Sequence, residues 1–307
     1  MLIRFCLVCL LAVTVGAQSP ASYVPQRVFD TKDKRFTDFE AMLADLARAD
    51  VVFIGEQHDD PGTHRLELAI LEGIARRRSN VIVALEMFER DVQQQMNDYL
   101  AGKISEADFK KNSRPWPRYD TDYKPLIEFA KAKGWQVVAG NVPRRYASQV
   151  GKSGLSAAEK LPEAERSYLA KQFSCPSDDY FKRFTEAMGV HPGDSKGDSK
   201  EAPKMDAAVI EKMYQAQCVK DETMGESIAV AAQAAPNALI IHYNGAFHSD
   251  YRLGTAARTK QRLPKANIKV VSAIPVENLD AIQTDKDRKR GDYLLFTLQS
   301  AKKDTKN

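Results

Sequence analysis

The 307-residue sequence predicts an α/β fold, with a mostly parallel central sheet flanked by helices and a helical insertion subdomain. Three observations carry that expectation. Short apolar, β-branched runs, too hydrophobic to keep one face wet, recur at Val51–Ile54, Val81–Leu85, Val137–Ala139 and Ala238–Ile241. The first three alternate with stretches of helical period, the order of βαβ units and so of parallel strands. From about 152 to 235 only helical period is present, which sets an insertion inside the α/β pattern.

Taken in order, Arg4 precedes an apolar run from Phe5 to Val15 that ends on Val15-Gly16-Ala17. That reads as a signal peptide over 1–17, too short to span a bilayer and without a lipoprotein cleavage context, so no lipid anchor is predicted. Residues 18–37 form a polar arm, and Phe39, Met42, Leu43 and Leu46 mark the helix that feeds the Val51 strand. Pro61 opens a helix over 61–78 with apolar spacing Leu66, Ile70, Leu71, Ile74. After the strand at 81–88, helices follow near 91–101 and 105–111, the second with Ser105 as N-cap. A loop rich in arginine, proline and aromatics (Ser113–Tyr119) then leads to a helix over 122–133, a strand at 135–141 and a helix after Pro143.

In the insertion, helices are expected near 178–189 and 205–219, separated by the tandem repeat Gly193-Asp194-Ser195-Lys196/Gly197-Asp198-Ser199-Lys200, a surface loop. Strands at Ile268–Ile274 and Tyr293–Leu298 close the sheet. The domain therefore comprises 38–151 and 236–299, the insertion 152–235, and 300–307 is a disordered tail.

Net charge is +4, and losing Arg4 with the signal peptide leaves +3, too weak and scattered to argue for nucleic acid. Of four cysteines only Cys175 and Cys218 lie beyond residue 17, and in an exported chain such a pair reads as a disulfide.

The chemistry clusters by position. Glu56 with His58, Glu86, Asn141, and His242 with His248 all fall at or near the end of an apolar strand, and four of the five histidines (His58, His64, His242, His248) lie in two such turns. In parallel neighbours those ends share one surface, where carboxylates and imidazoles bind a divalent metal or exchange protons. Singly, each has a plainer reading: Glu56 caps the next helix, and His242 is a core histidine. Arg114, Arg118, Arg144 and Arg145 around Trp116 and Tyr119 either clamp carboxylates or phosphates or simply line a solvated loop.

Gly55-Glu56-Gln57-His58, Ala84-Leu85-Glu86-Met87-Phe88, the Arg114-Pro115-Trp116 loop before Tyr123, Gly140-Asn141-Val142-Pro143-Arg144 and His242-Tyr243-Asn244-Gly245-Ala246-Phe247-His248 together resemble the ChaN family. These are haem-binding uptake proteins of the Tiki/TraB/erythromycin-esterase-like superfamily, and the resemblance covers roughly residues 35–275. It implies export to the periplasm or cell exterior, haem as cofactor in iron uptake, and a homodimer around cofacial haems that serves an outer-membrane haem receptor system. It further implies a tyrosine on the iron and a histidine at the propionates. Tyr180 and Tyr214 are the candidate ligands, Tyr180 preferred for its aromatic, Met-containing helix next to Cys175, and His191 is the candidate propionate contact. The wider superfamily implies an alternative, a metal-dependent hydrolase of peptidase or esterase type. Glu56 and Glu86 would then be catalytic, and His58, His242, His248 and Glu56 would surround the ion.

Overall fold

The apolar runs become the parallel interior of one eight-stranded sheet in the computed structural model, which describes residues 24–188 and 206–299. The strands are β1 (Gln26–Asp30), β2 (Arg35–Thr37), β3 (Val51–Glu56), β4 (Val81–Glu89), β5 (Val137–Asn141), β6 (Leu239–Gly245), β7 (Ile268–Val276) and β8 (Tyr293–Leu298). Their spatial order is β2-β1-β8-β7-β3-β6-β4-β5. From β8 to β5 every neighbouring pair is parallel. The α/β architecture is therefore the one the sequence predicts.

The helices are α1 (Phe39–Leu46), α2 (Pro61–Ala75), α3 (Gln93–Leu100), α4 (Glu106–Ser113), α5 (Tyr119–Asp122), α6 (Lys124–Lys133), α7 (Arg144–Ser153), α8 (Ser156–Glu159), α9 (Glu163–Arg166), α10 (Asp179–Ala187), α11 (Ala207–Ala234) and α12 (Gly254–Arg262). Strand pleating sends alternate side chains to opposite faces. Val52 and Ile54 pack with Met42, Leu43, Ile70, Leu71 and Ile127 of α1, α2 and α6. Val51 and Phe53 pack with Ile228, Ala231 and Ala256 of α11 and α12. With both faces covered, each buried Val or Ile contributes roughly 1.5–3 kcal/mol, and the polar residues of β3 and β5 fall at their carboxyl ends, whereas β6 buries His242 at its middle.

Three features differ from expectation. Part of the expected polar arm is a β1–β2 hairpin that pairs antiparallel with β8 and buries Val28 and Phe29; its two short, mostly polar strands leave no period to read. The helix expected to stop near 219 continues to Ala234, because nothing halts it before Pro236. Gly225 inside it permits close packing on α12, since a Cβ there would lie 2.8 Å from the Arg258 Cβ. One helix thus joins the insertion to the sheet: Ile210, Tyr214 and Cys218 pack with Tyr180 and Phe184 of α10, while Ile228 and Ala231 lie on the strands. Finally, Cys175 and Cys218 are free thiols packed in the same apolar cluster rather than a disulfide. The signal peptide, the tandem repeat, His191 and the tail lie outside the described residues. Among the described residues no helix is long and apolar enough to cross a membrane.

Candidate functional site

The chain leaves β3 for β4 on one side, then returns to place β6 between them and β7 on β3's other side. That reversal opens a crevice beyond the carboxyl ends of β3, β6 and β4. Gly55 lets β3 pass beneath the turn after β6, because a Cβ there would sit 3.0 Å from the Ala246 Cα and the Ser249 Oγ. The next helix, α2, is capped by Asp60, which accepts from the Gly62 and Thr63 amides and from the Thr63 and Thr297 hydroxyls. Glu56, weighed above as a helix cap, is thereby left for the crevice.

Glu56 is buried, with Oε1 2.5 Å from the His58 Nδ1 and accepting from the Tyr123 hydroxyl at 2.9 Å. Its Oε2 lies 3.6 Å from the His64 Nδ1, which is also 3.0 Å from the Glu67 Oε2. Burial pushes the Glu56 carboxyl up, but the hydrogen bonds of His58 and Glu67, with the His64 and His58 charges, outweigh it and hold the group below the usual range. Glu67 is driven well above that range by burial and by the neighbouring Glu56 charge. Among the described residues, Glu56, His64 and Glu67 form the group of three whose ligand atoms lie within 4.8 Å of one another.

Glu86, in β4 just past Leu85 where its regular pairing with β5 breaks, has different neighbours. Its Oε2 accepts from the Gly245 amide at 2.7 Å, and its Oε1 lies 3.2 Å from the His248 Nε2. The other ring nitrogen of His248 donates to Asp221 Oδ1 at 2.7 Å, and Asp221 also accepts from the Tyr180 and Thr255 hydroxyls. Burial opposes charge on both groups. The His248 and His58 charges nevertheless hold Glu86 down at about 2, and Glu86 with Asp221 raises His248 to about 10. At neutral pH His248 is an imidazolium between two carboxylates.

The four residues expected around an ion therefore do not form one donor set. His248 has no lone pair to give, since both nitrogens carry protons. His242 is fully buried edge-on to Phe53 at 5.5 Å, and burial lowers its pKa to about 4. His58, with 46% of its side chain exposed, reaches over Gly245, where a Cβ would be 2.7 Å from its Nε2. Of the four, only Glu56 and His58 are hydrogen-bonded to each other.

Above this floor lies a cleft of about 610 Å³, with Phe184, Met188, Phe247 and Leu253 on its walls. Arg183, Tyr251 and Arg290 complete the rim. The Arg183 guanidinium sits 3.3 Å from the Tyr251 ring centre, and Tyr251 and Arg252 are successive residues in the left-handed region (φ 61° and 59°). Such strain in non-glycine residues gathers at binding sites. Sequence reasoning missed Tyr251, since nothing in its spacing marks it. The tyrosines it named are closed off: Tyr180 borders the cleft but gives its hydroxyl to Asp221, and Tyr214 donates to the Pro176 carbonyl. Each is at most 2% exposed, and burial first, then Asp221 for Tyr180 and Cys218 for Tyr214, raises the phenols. Neither is disposed to become a phenolate. The arginine loop is largely engaged within the fold: Arg114 pairs with Glu89 and Asp91, Arg145 with Asp91, and Arg118 with Asp122. Trp116 stands edge-on to His58 at 5.2 Å.

An open α/β sheet with a ligand cleft over its switch point is the class that fold and site define. The chain belongs to the family described as haem-binding uptake, Tiki superfamily, ChaN, which matches residues 42–259. It is similar to the solved structure of ChaN of Campylobacter jejuni with cofacial haem, at TM-score 0.64 and 16% identity over 90% of this chain and 97% of that one. A more remote likeness is to an erythromycin esterase in an open conformation, at TM-score 0.46 and 11% identity over 90% of this chain and 83% of that one. In sequence it is 26% identical over 250 residues to RETICULATA-RELATED 5, a chloroplastic protein of Arabidopsis thaliana. That match takes in 75% of this chain and 32% of the relative, so the chain spans about a third of the length of the curated relative it matches.

Proposed function

We propose that this protein binds haem in the cleft above the strand ends as a step of iron uptake. The observation that carries this reading is the make-up of the cleft in a chain of this family. Phe184, Met188, Phe247 and Leu253 supply an apolar lining for a macrocycle, and Arg183 is a cation for a propionate, with Arg290 beside it already paired to Asp250 and Asp287. Between the arginines, Tyr251 offers the phenol type that serves as a haem-iron ligand, a role the buried Tyr180 and Tyr214 are not placed to take. Bound haem would supply the iron cargo, while the protein's own groups hold its edges and exclude water. The same reading includes export through the apolar N-terminal segment, dimerisation to cover the second haem face, and hand-over to an outer-membrane haem receptor system. It also includes closure of the adjacent Cys175 and Cys218 thiols into a disulfide in an oxidising compartment.

Haemin titration of the purified chain, with sedimentation in parallel, tests it. The expected result is a saturable Soret shift with a monomer-to-dimer transition, lost in Tyr251→Phe and kept in Tyr214→Phe. No Soret change would sink the reading.

A metal-dependent hydrolase is the second reading, favoured by one observation. Glu56 orients His58, a half-exposed imidazole on the cleft floor beside Glu86, as a proton acceptor is oriented in a general-base pair. Ester or peptide hydrolysis that requires added divalent metal and disappears in His58→Ala would support it, and an inactive metal-loaded protein would count against it.

A further inference from the structure

We infer that Glu56, His64 and Glu67 form a buried site for one divalent cation of the zinc or manganese class, beneath the cleft floor and separate from the haem reading. The sequence placed the metal ligands on His58, His242, His248 and Glu56, of which Glu56 alone recurs here. The inference begins with the tautomer of His64. Its Nε2 lies 3.2 Å from the His58 carbonyl oxygen and 3.4 Å from the Asp122 Oδ2, two acceptors, so the ring proton belongs there. Nδ1 is then a lone pair, and it faces the Glu56 Oε2 at 3.6 Å and the Glu67 Oε2 at 3.0 Å. Three acceptor atoms thus converge, and the proton held among them is that of Glu67, whose carboxyl is driven upward by burial and by the Glu56 charge; an ion would take that proton's place. A histidine whose outer nitrogen donates to a carbonyl or carboxylate, leaving the inner one for an ion, is the usual arrangement around protein-bound metals.

Two further observations point the same way. The carboxylate oxygens Glu56 Oε2 and Glu67 Oε1 are buried and have no hydrogen-bond partner among the described residues, although Glu56 is 1% and Glu67 0% exposed. Buried carboxylate oxygens are rarely left so. The spacing also suits an ion. Ligands about 2.1 Å from a metal stand about 3.4 Å apart in a tetrahedron and about 3.0 Å apart in an octahedron; the 3.0 Å separation matches the octahedral spacing, and the 3.6 Å one needs to close only slightly to reach the tetrahedral spacing. The plainer account is a protonated His64 paired with Glu67 one helical turn on. It directs the second ring proton at Glu67 and still leaves both orphaned oxygens without a donor.

One imidazole and two carboxylates are nitrogen and oxygen donors that suit zinc or manganese, and no thiol is near enough to select a softer ion. Glu56 would touch the ion through one oxygen and His58 through the other, so the ion would set the orientation of the imidazole on the cleft floor. With all three ligands buried, loading couples to folding.

The test uses the full chain, haem-free, stripped with a chelator in mild denaturant and refolded with Zn²⁺ or Mn²⁺ in separate experiments. The expected result is about one tightly held ion per chain and a metal-dependent rise in melting temperature. Both are lost in Glu67→Gln and His64→Gln and kept in His58→Ala and His242→Leu. X-ray absorption of the zinc-loaded wild type should show a single imidazole among light ligands, a readout that does not depend on a variant folding. No bound ion after refolding, retention in Glu67→Gln, or two or more imidazoles on the ion would overturn the inference. None of these outcomes bears on haemin binding at the cleft.

Discussion

Glu56 and Glu86 look alike in sequence, each a carboxylate closing an apolar strand, and both are buried. Their surroundings make them opposites. Glu86 meets a backbone amide and a histidine that is itself held by Asp221, so its charge is matched on every side. Glu56 shares its half of the crevice with Glu67 and Asp122, and one of its oxygens has no donor. Burial is therefore a poor guide to role. What separates a strut from a binding group is whether the local charges already balance without a visitor.

The largest expected effect lies on the balanced side. His248→Leu strands Glu86 and Asp221 as uncompensated charges and should lower unfolding free energy by about 3–5 kcal/mol in a urea titration. A loss below about 1 kcal/mol would show that the pair is not an ion pair in solution. Next, Tyr180→Phe removes a hydrogen bond to the same network and should cost about 1.5–3 kcal/mol while leaving the haemin Soret shift intact. Tyr251→Phe should do the reverse, and equal behaviour of the two variants would erase the distinction between wall and ligand.

The pH dependence gives a finer contrast. Glu86 sits at about 2 against 4.5, so its contribution is complete above pH 4.5 and fades as pH falls towards 2. His248 sits at about 10 against 6.5, so its contribution is complete below pH 6.5 and fades as pH rises towards 10. The difference in stability between wild type and His248→Leu should therefore be greatest between pH 4.5 and 6.5 and shrink on both flanks. A difference that keeps growing above pH 7 would contradict the charge state assigned to His248. The smallest effect is on the other side: Glu67→Gln in chelator-treated protein replaces a carboxyl that burial and the Glu56 charge already favour in its neutral form, and should change stability by less than about 1 kcal/mol, in either direction. A loss as large as that of His248→Leu would mean that Glu67 is a carboxylate whose charge is paired within the fold.

The sequence made the strand ends legible because polar groups are few inside a fully covered parallel strand, His242 being a buried exception, and Glu56, His58, Glu86 and His248 were found that way. Partnership was not legible. Asp221 reaches His248 from the middle of α11, and its period there is that of any helix. Tyr251 lies in a turn defined by two left-handed residues, which composition does not announce. Glu67 left a signal that went unused: His64 and Glu67 are polar residues three apart beside Leu66, Ile70 and Leu71, on a helix otherwise buried along that stripe. The β1–β2 hairpin was hidden because its order comes from pairing with β8, more than 250 residues away.

The continuity of α11 has a geometric consequence. Gln217 and Asp221 face the cleft and its network, while Ile228 and Ala231, within the same unbroken helix, lie on the sheet. An added residue turns an α-helix by about 100°. One inserted between Asp221 and Ile228 would therefore swing Asp221 away from His248 while the strand-facing side chains stayed in place. The helix acts as a keyed shaft, and its length between these two sets can change only by steps close to whole turns, such as seven residues, if the cleft is to keep its charges aligned.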